Sequence, residues 1–477
     1  MRRPILPTVG LLGGLSLLPY MTALQLNDLR THTVGFEITF FAAFALYAVA
    51  VVVVLPAEGP AGPRVLVMIV GFAVAFRLLL VFSTPTLTDD MYRYVWDGRV
   101  QAHGINPYLL PPDAPALAPL RDDAIWPSIN RKSVVTVYPG GAQLAFAALW
   151  RIMPDNVRWF QLAMTGGDLA AGLLLMRLLR ALGQPAQRAL LYLWSPLPVF
   201  ETAHAAHVDG LVLPVLVAAW LARARGRDAL VGVLLGAAVS LKLYPVVLFP
   251  VLWRVRDDRG RRRAAWVMPV AFVTVLVATY LPYLSLGVGV IGFLPTYFTE
   301  RFNPSLARLI TDLPYGTDGT SDRLATVLLL VAELAVGVVC LLRPARNAAH
   351  AIRRSIWPIG VFVLLTQILY PWYVLWLVPL LALFVRPGRF GLRLDAWTGS
   401  WLFSGLVMLS YTWYITMSGI GWTSYAQFGP LFALLFLHSW RDLRRRGLDI
   451  LRFGGMRLDR NRPTRLLDSG SDGIRGG

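Results

Sequence analysis

The chain has 477 residues, 56% of them hydrophobic and 15% charged, with a mean hydropathy of +0.56 and a formal net charge of +18. Soluble domains carry about a quarter charged residues, so the composition excludes a soluble globular fold and calls for lipid as a second solvent. The positive charge recurs as short arginine clusters between apolar runs rather than as one patch, which speaks for membrane topology and against a nucleic-acid partner.

In chain order, the apolar runs 5–24, 36–55 and 65–83 are each long enough to cross a hydrocarbon core of about 30 Å. They must cross as helices, because lipid leaves no partner for an unpaired backbone group. The first run follows Arg2 and Arg3 as a signal peptide would. It has no convincing small-residue cleavage site and leads straight into more spans, so it reads as a retained helix. With Arg2 inside, three spans deliver the chain outside near residue 84, where a first outer loop runs from about 84 to 158. The run 137–153, opened by Tyr138-Pro139-Gly140-Gly141, is marginal for a span at about 17 residues. If it crossed, the cluster Arg177/Arg180/Arg188 would fall on the wrong side, so it is expected as an interfacial helix.

Further spans follow at 159–182, 188–203, 208–223, 229–242, 245–254, 264–286, 324–343, 355–371, 372–386, 397–416 and 425–440. The pair flanking Lys242-Leu243-Tyr244-Pro245 is too short to cross singly and reads as half-helices breaking at Pro245. On this pattern the arginine clusters, including 254–263, become cytoplasmic. A second outer loop, 287–323, holds Tyr297, Glu300, Arg301 and Asn303. Cys340, the single cysteine, rules out an intrachain disulfide framework and a Cys-based metal site. The expected fold is an all-α polytopic bundle of about 11–14 membrane segments. Residues 1–440 form one domain, and 441–477 a basic, disordered cytoplasmic tail lying on anionic headgroups.

The first outer loop carries the densest chemistry, T-D-D-M-Y-R-Y-V-W-D-G-R-V-Q-A-H-G-I-N-P-Y from Thr88 to Tyr108. Asp89 and Asp90 stand at the membrane–water boundary, where paired carboxylates can act as a general base, bind a cation, or cap the helix that follows. In that helix Tyr92, Val95 and Trp96 share a face expected toward lipid, while Asp90, Arg93, Asp97 and Gln101 share another. Asp97 and Arg99 suit structural ion pairs, and Asn106-Pro107-Tyr108 suits a terminating turn. A second cluster, Glu201, His204, His207 and Asp209, suits either a metal or a polar turn in which His207 bonds Asp209. Lys242, one of two lysines, stands at the half-helix break, where it can meet a phosphate or snorkel to the interface. Arg77, near the outer end of the third span, carries a similar expectation. Asp168 and Glu333 lie within spans and suit inter-helical hydrogen bonds. No G-x-G-x-x-G stands in a nucleotide-binding context, and an extracytoplasmic site would have no nucleotide donor.

The Asp89–Tyr108 motif, the later T-V-Y-P-G-G-A-Q-L-A-F, H-V-D-G, S-L-K-L-Y-P and Y-P-W-Y-V-L-W-L-V-P resemble bacterial GT-C fold glycosyltransferases that use polyprenyl-phosphate sugars. The likeness is nearest to the mannosyltransferase-like branch and extends over roughly residues 65–390. The resemblance implies a catalytic aspartate in the first extracytoplasmic loop, met by Asp89 or Asp90, with juxtamembrane helices beside it. It implies a basic residue on the carrier phosphate, met by Lys242, and inversion at the anomeric carbon by single displacement. The helical pair before residue 65 departs from the simplest family topology.

The expected function is a multi-pass plasma (inner) membrane hexosyltransferase, moving mannose by the resemblance, from polyprenyl phosphate to a glycan or glycolipid acceptor. The expected site has Asp89 and Asp90 as catalytic carboxylates and Lys242, Arg77 and Arg93 on the donor phosphate. Tyr92, Asp97, His207, Asp209 and Tyr244 stand around the substrate, with a candidate divalent cation on Asp89, Asp90 and His207. The competing readings are a flippase for lipid-linked sugars and a non-catalytic subunit of an envelope-glycan assembly complex.

Overall fold

The three opening runs become helices α1 (Ile5–Gln25), α2 (Thr33–Val54) and α3 (Pro63–Val81), as their uninterrupted apolar sequence requires. The computed structural model describes residues 5–56, 59–253, 255, 266–292, 302–316, 319–389, 391–416 and 421–454. Among them, seven helices are long and apolar enough to cross a membrane: these three, α6 (Val157–Ala181), Val267–Val290, Gly319–Leu342 and Ala348–Leu365. Strand among the described residues is confined to the two-residue pairing of Pro387–Gly388 with Gly391–Leu392. The protein is an all-α, multi-pass membrane bundle, as the composition implies.

Between α3 and α6 lie two shorter helices, α4 (Asp90–Ala102) and α5 (Gly140–Ile152). Each has 13 residues, about 20 Å at 1.5 Å per residue, which is too short to cross. Together they build a second, smaller core. Tyr94 stacks on Phe146 with centroids 4.6 Å apart, and Val95 and Trp96 pack among Leu117, Ile129 and Phe160. The expectation that Val95 and Trp96 face lipid is therefore corrected. The loop between α4 and α5 folds back over α4 and covers that face, at 0% and 1% exposure.

Small residues set how closely the long helices approach. Gly167 of α6 and Gly210 of the helix α7 (Asp209–Ala224) bring two backbones together: a Cβ on Gly210 would strike the carbonyl oxygen of Met164. Gly140 and Gly141 likewise seat the start of α5 against Thr279 and against Ser240, near the end of helix α8 (Asp228–Leu241).

Several spans are more broken than the apolar runs suggest. Pro196 and Pro198 divide 188–203 into short turns that end in a π-helical stretch, Val199–His204, because proline removes an amide donor and clashes with the preceding turn. The break at Lys242 opens three residues before Pro245, which sits in the first turn of the next segment. α8 ends at Leu241, Lys242 is extended, and Tyr244–Leu248 and Phe249–Trp253 follow. The last helix runs Gly421–Gly454, past the boundary expected at 440, through a stretch rich in leucine and arginine, which are strong helix formers. Residues 455–477, the arginines of cluster 254–263, and Tyr297, Glu300 and Arg301 lie outside the described residues. Asn303 is buried, donating to the Leu369 carbonyl at 3.0 Å and to Gln427 at 2.9 Å.

Candidate active site

The two aspartates stand where α3 gives way to α4, and they line a cavity of about 520 Å³. The opposing walls are the segment from Asn130 to Pro139, the Lys242–Tyr244 break, and aromatic side chains that include Tyr370, Trp372, Tyr411 and Tyr414. Tyr370 and Trp372 stack at 4.3 Å, and Trp372 stacks in turn on the His207 ring at 3.9 Å. Aromatic faces beside carboxylates and cations suit a ligand with both apolar and polar parts.

Asp89 and Asp90 have different partners. Asp89 holds the helix N-cap position, yet its side chain caps nothing. It meets the guanidinium of Arg30 instead, with Nη2–Oδ1 at 2.9 Å and Nη1–Oδ2 at 3.4 Å. Asp90, in the first turn of α4, accepts from Asn130 Nδ2 at 2.7 Å, and its own backbone N–H donates to Thr88 Oγ1 at 3.3 Å. Among the described residues no cation pairs with Asp90, so its charge rests on a neutral amide and the helix N-terminus.

Lys242 reaches the cavity from the break after α8, and its Nζ lies 2.5 Å from Asp209 Oδ2 and 5.4 Å from the Tyr373 ring centre. Asp209 is fully buried and also accepts from Trp376 Nε1 at 2.8 Å. Tyr244 donates to the Tyr373 hydroxyl at 2.7 Å. The two cavity ion pairs therefore differ in kind. Arg30–Asp89, at 32% and 39% side-chain exposure, belongs to the class of exposed pairs worth about 0–1 kcal/mol. Lys242–Asp209, at 14% and 0%, belongs to the buried class in which removing one partner costs about 3–5 kcal/mol.

Several expected site residues take other places. Arg77 is fully buried in α3, held by Asp168 and the Leu193 carbonyl at 2.8 Å; it ties spans together and does not line the cavity. Asp168 also meets Tyr192 and Thr202, as an inter-helical hub. Asp97 is buried, accepting from Arg93 Nε at 2.8 Å and Gln143 Nε2 at 2.9 Å, so it holds α4 to α5 rather than facing the cavity. Arg93 does line the cavity but is spent on Asp97 and the Val134 carbonyl at 3.1 Å. Arg99 likewise pairs with Asp122 and, at 2.7 Å, with Asp155. Tyr92 lies outside the cavity lining, and burial, then the charge of Asp89, raises its phenol.

His207 bonds Glu201 Oε2 at 2.9 Å rather than Asp209, whose carboxylate is taken by Lys242 and Trp376. The ligand set Asp89, Asp90 and His207 is thereby corrected. Among the described residues no group of three or more His, Cys, Asp or Glu side chains converges to hold a metal. His204 serves the loop instead, with Nδ1 2.7 Å from Ser83 Oγ and Nε2 3.2 Å from Thr86. Glu333 leaves Oε1 buried with no partner among the described residues, against the expected inter-helical bond.

Two polar residues at the aspartates were not foreseen, Arg30 and Asn130. Asn130 sits in an otherwise unmarked loop 40 residues from Asp90, and Arg30 in a turn 59 residues from Asp89; neither has a motif of its own.

A family model, Glycosyltransferase family 87, matches residues 136–367. That span includes Asp209, Lys242 and Tyr244 and begins after Asp89 and Asp90. GPI mannosyltransferase 1 of Eremothecium gossypii is 28% identical over 148 residues, covering 29% of this chain and 36% of that protein. The chain thus matches little more than a third of that relative's length. One likeness is to a glycosyltransferase family and the other to a mannosyltransferase, and together they support the GT-C-like, mannosyltransferase-type resemblance carried by the motifs.

Proposed function

We propose that this GT-C-like membrane protein transfers a hexose, mannose by its likenesses, from a polyprenyl-phosphate donor to a hydroxyl of a glycan or glycolipid at the extracytoplasmic face. The observation that carries the reading is the inequality of the paired aspartates. Asp89 is matched by a cation, whereas Asp90 keeps a carboxylate oriented by the Asn130 amide and open to an aromatic-walled cavity. That difference supports Asp90 as the general base. An ionised carboxylate held by one neutral donor keeps a lone pair for an acceptor proton.

In the step proposed, Asp90 takes the acceptor hydroxyl proton as that oxygen bonds to the anomeric carbon from the face opposite the phosphate. The bond from carbon to phosphate oxygen breaks, and its electron pair leaves with the polyprenyl phosphate. The configuration inverts in this single displacement. Cations lining the cavity stabilise the departing phosphate, and the aromatic wall that includes Tyr370 and Trp372 offers apolar ring edges to the sugar or the first isoprene units. The extracytoplasmic assignment rests on the distribution of arginine between spans.

The test is transfer from synthetic polyprenyl-phosphate-mannose to a total lipid extract by purified protein. Inverted mannosyl product is the expected result. Donor movement across liposome membranes without product would contradict the reading and favour a flippase.

A further inference from the structure

The turn between α1 and α2, which precedes every motif of the resemblance, is built to deliver one side chain. Asn27 takes a left-handed conformation with φ of 58°. Asp28 Oδ1 accepts from the backbone N–H of Arg30 at 2.9 Å and of Thr31 at 3.3 Å. Thr33 Oγ1 donates to the Arg30 carbonyl at 2.6 Å. The backbone N–H of Leu29 donates to Thr86 Oγ1 at 3.0 Å, which ties the turn to the strand of chain leading into Asp89. The Arg30 guanidinium is thus placed in the cavity wall, 4.8 Å from the Tyr414 ring centre. Its Nε is buried and has no hydrogen-bond partner among the described residues.

We propose that Arg30 is the phosphate-binding cation of the cavity, exchanging its contact with Asp89 for the phosphate of a lipid-linked substrate. The inference rests on the phosphate-linked donor proposed above. The comparison of cavity cations carries it. Lys242 is locked to a buried carboxylate that would be stranded if the lysine turned away, and Arg93 is locked to buried Asp97. Arg131 is itself engaged. Of Lys242, Arg93 and Arg30, Arg30 is the one paired with a half-exposed carboxylate, which water can solvate once it is released. An incoming phosphate offers the planar fork of Arg30 more acceptor oxygens than Asp89 does, and can reach the unused Nε. The α1–α2 pair thereby acquires a function: it supplies a cation to the anion site of the cavity.

The test is equilibrium binding of farnesyl phosphate, farnesol and inorganic phosphate to the full-length protein in phosphatidylcholine nanodiscs. Wild type is expected to prefer farnesyl phosphate over farnesol by about 10-fold or more, the scale of charge-assisted hydrogen bonds. Arg30→Gln is expected to cut that preference to about 2-fold or less, and Arg30→Lys to keep only part of it, a point charge replacing the fork. Asp89→Asn, which removes the competing carboxylate, is expected to tighten farnesyl phosphate several-fold and leave farnesol unchanged. This second variant reads the exchange even if Arg30→Gln does not fold. A preference that survives Arg30→Gln, or weaker farnesyl phosphate binding in Asp89→Asn, would overturn the role of Arg30 and leave the donor class standing. No preference in wild type would overturn the donor class and Arg30's role together. Inorganic phosphate competing as well as farnesyl phosphate would make this a free-phosphate site and overturn the lipid assignment; no such competition supports it.

Discussion

Asn130 donates its side-chain amide to Asp90 Oδ1 at 2.7 Å, bringing a residue of the α4–α5 loop onto the first turn of α4. A neutral donor orients the carboxylate without cancelling its charge, as an arginine in the same place would. Asn130→Leu is expected to lower kcat by about 10- to 100-fold with KM for the donor little changed, the scale of losing an orienting bond at a general base. Asn130→Asp replaces the donor amide with a second carboxylate facing Asp90 and is expected to lower kcat at least as much.

The Lys242–Asp209 pair is expected to behave as structure. Asp209→Asn and Lys242→Met should each destabilise the protein by about 3–5 kcal/mol, since each leaves a desolvated charge unmatched. The double variant should lose less than the sum of the two. Thermal unfolding in detergent measures both, and additive losses would count against the pair.

Gly210 makes a sharp packing test. Gly210→Ala drives a methyl into the backbone at Met164 and should cost about 1–3 kcal/mol. Gly166→Ala, in α6 beside Met164 but with its Cβ meeting open space, should be neutral to mildly stabilising. Detergent melting curves of the two variants separate close helix approach from a general intolerance of glycine replacement.

The Arg77–Asp168 hub predicts a third stability result. Asp168 answers to Arg77, Tyr192 and Thr202 at once, all buried between spans. Asp168→Leu should be strongly destabilising because it strands the Arg77 charge, and Arg77→Met in the same chain should recover part of the loss. Equal destabilisation with and without the second substitution would contradict the pairing.

The fold class was legible because apolar run length and charge depletion report directly on lipid. The paired aspartates, Lys242 and Tyr244 were legible because motifs mark them, and they do share one cavity. Arg77 misled because a lone arginine near a span end looks free, whereas its neutralising Asp168 lies 91 residues away. His207 misled for the same reason: nearness in sequence to Asp209 suggested a pair, but helix geometry turns Asp209 toward Lys242 and gives His207 to Glu201. Arg30 and Asn130 were not legible, because each is an ordinary loop residue made local only by tertiary folding.

The measurement that bears most directly on the central claim is transfer from polyprenyl-phosphate-mannose by wild type, Asp89→Asn and Asp90→Asn. All three are to be compared at saturating donor and at matched folded fraction. The account predicts that Asp90→Asn loses about 10²- to 10⁴-fold in kcat, the scale of a general base, while Asp89→Asn retains measurable turnover. Loss confined to Asp89→Asn, or full activity in Asp90→Asn, would contradict it.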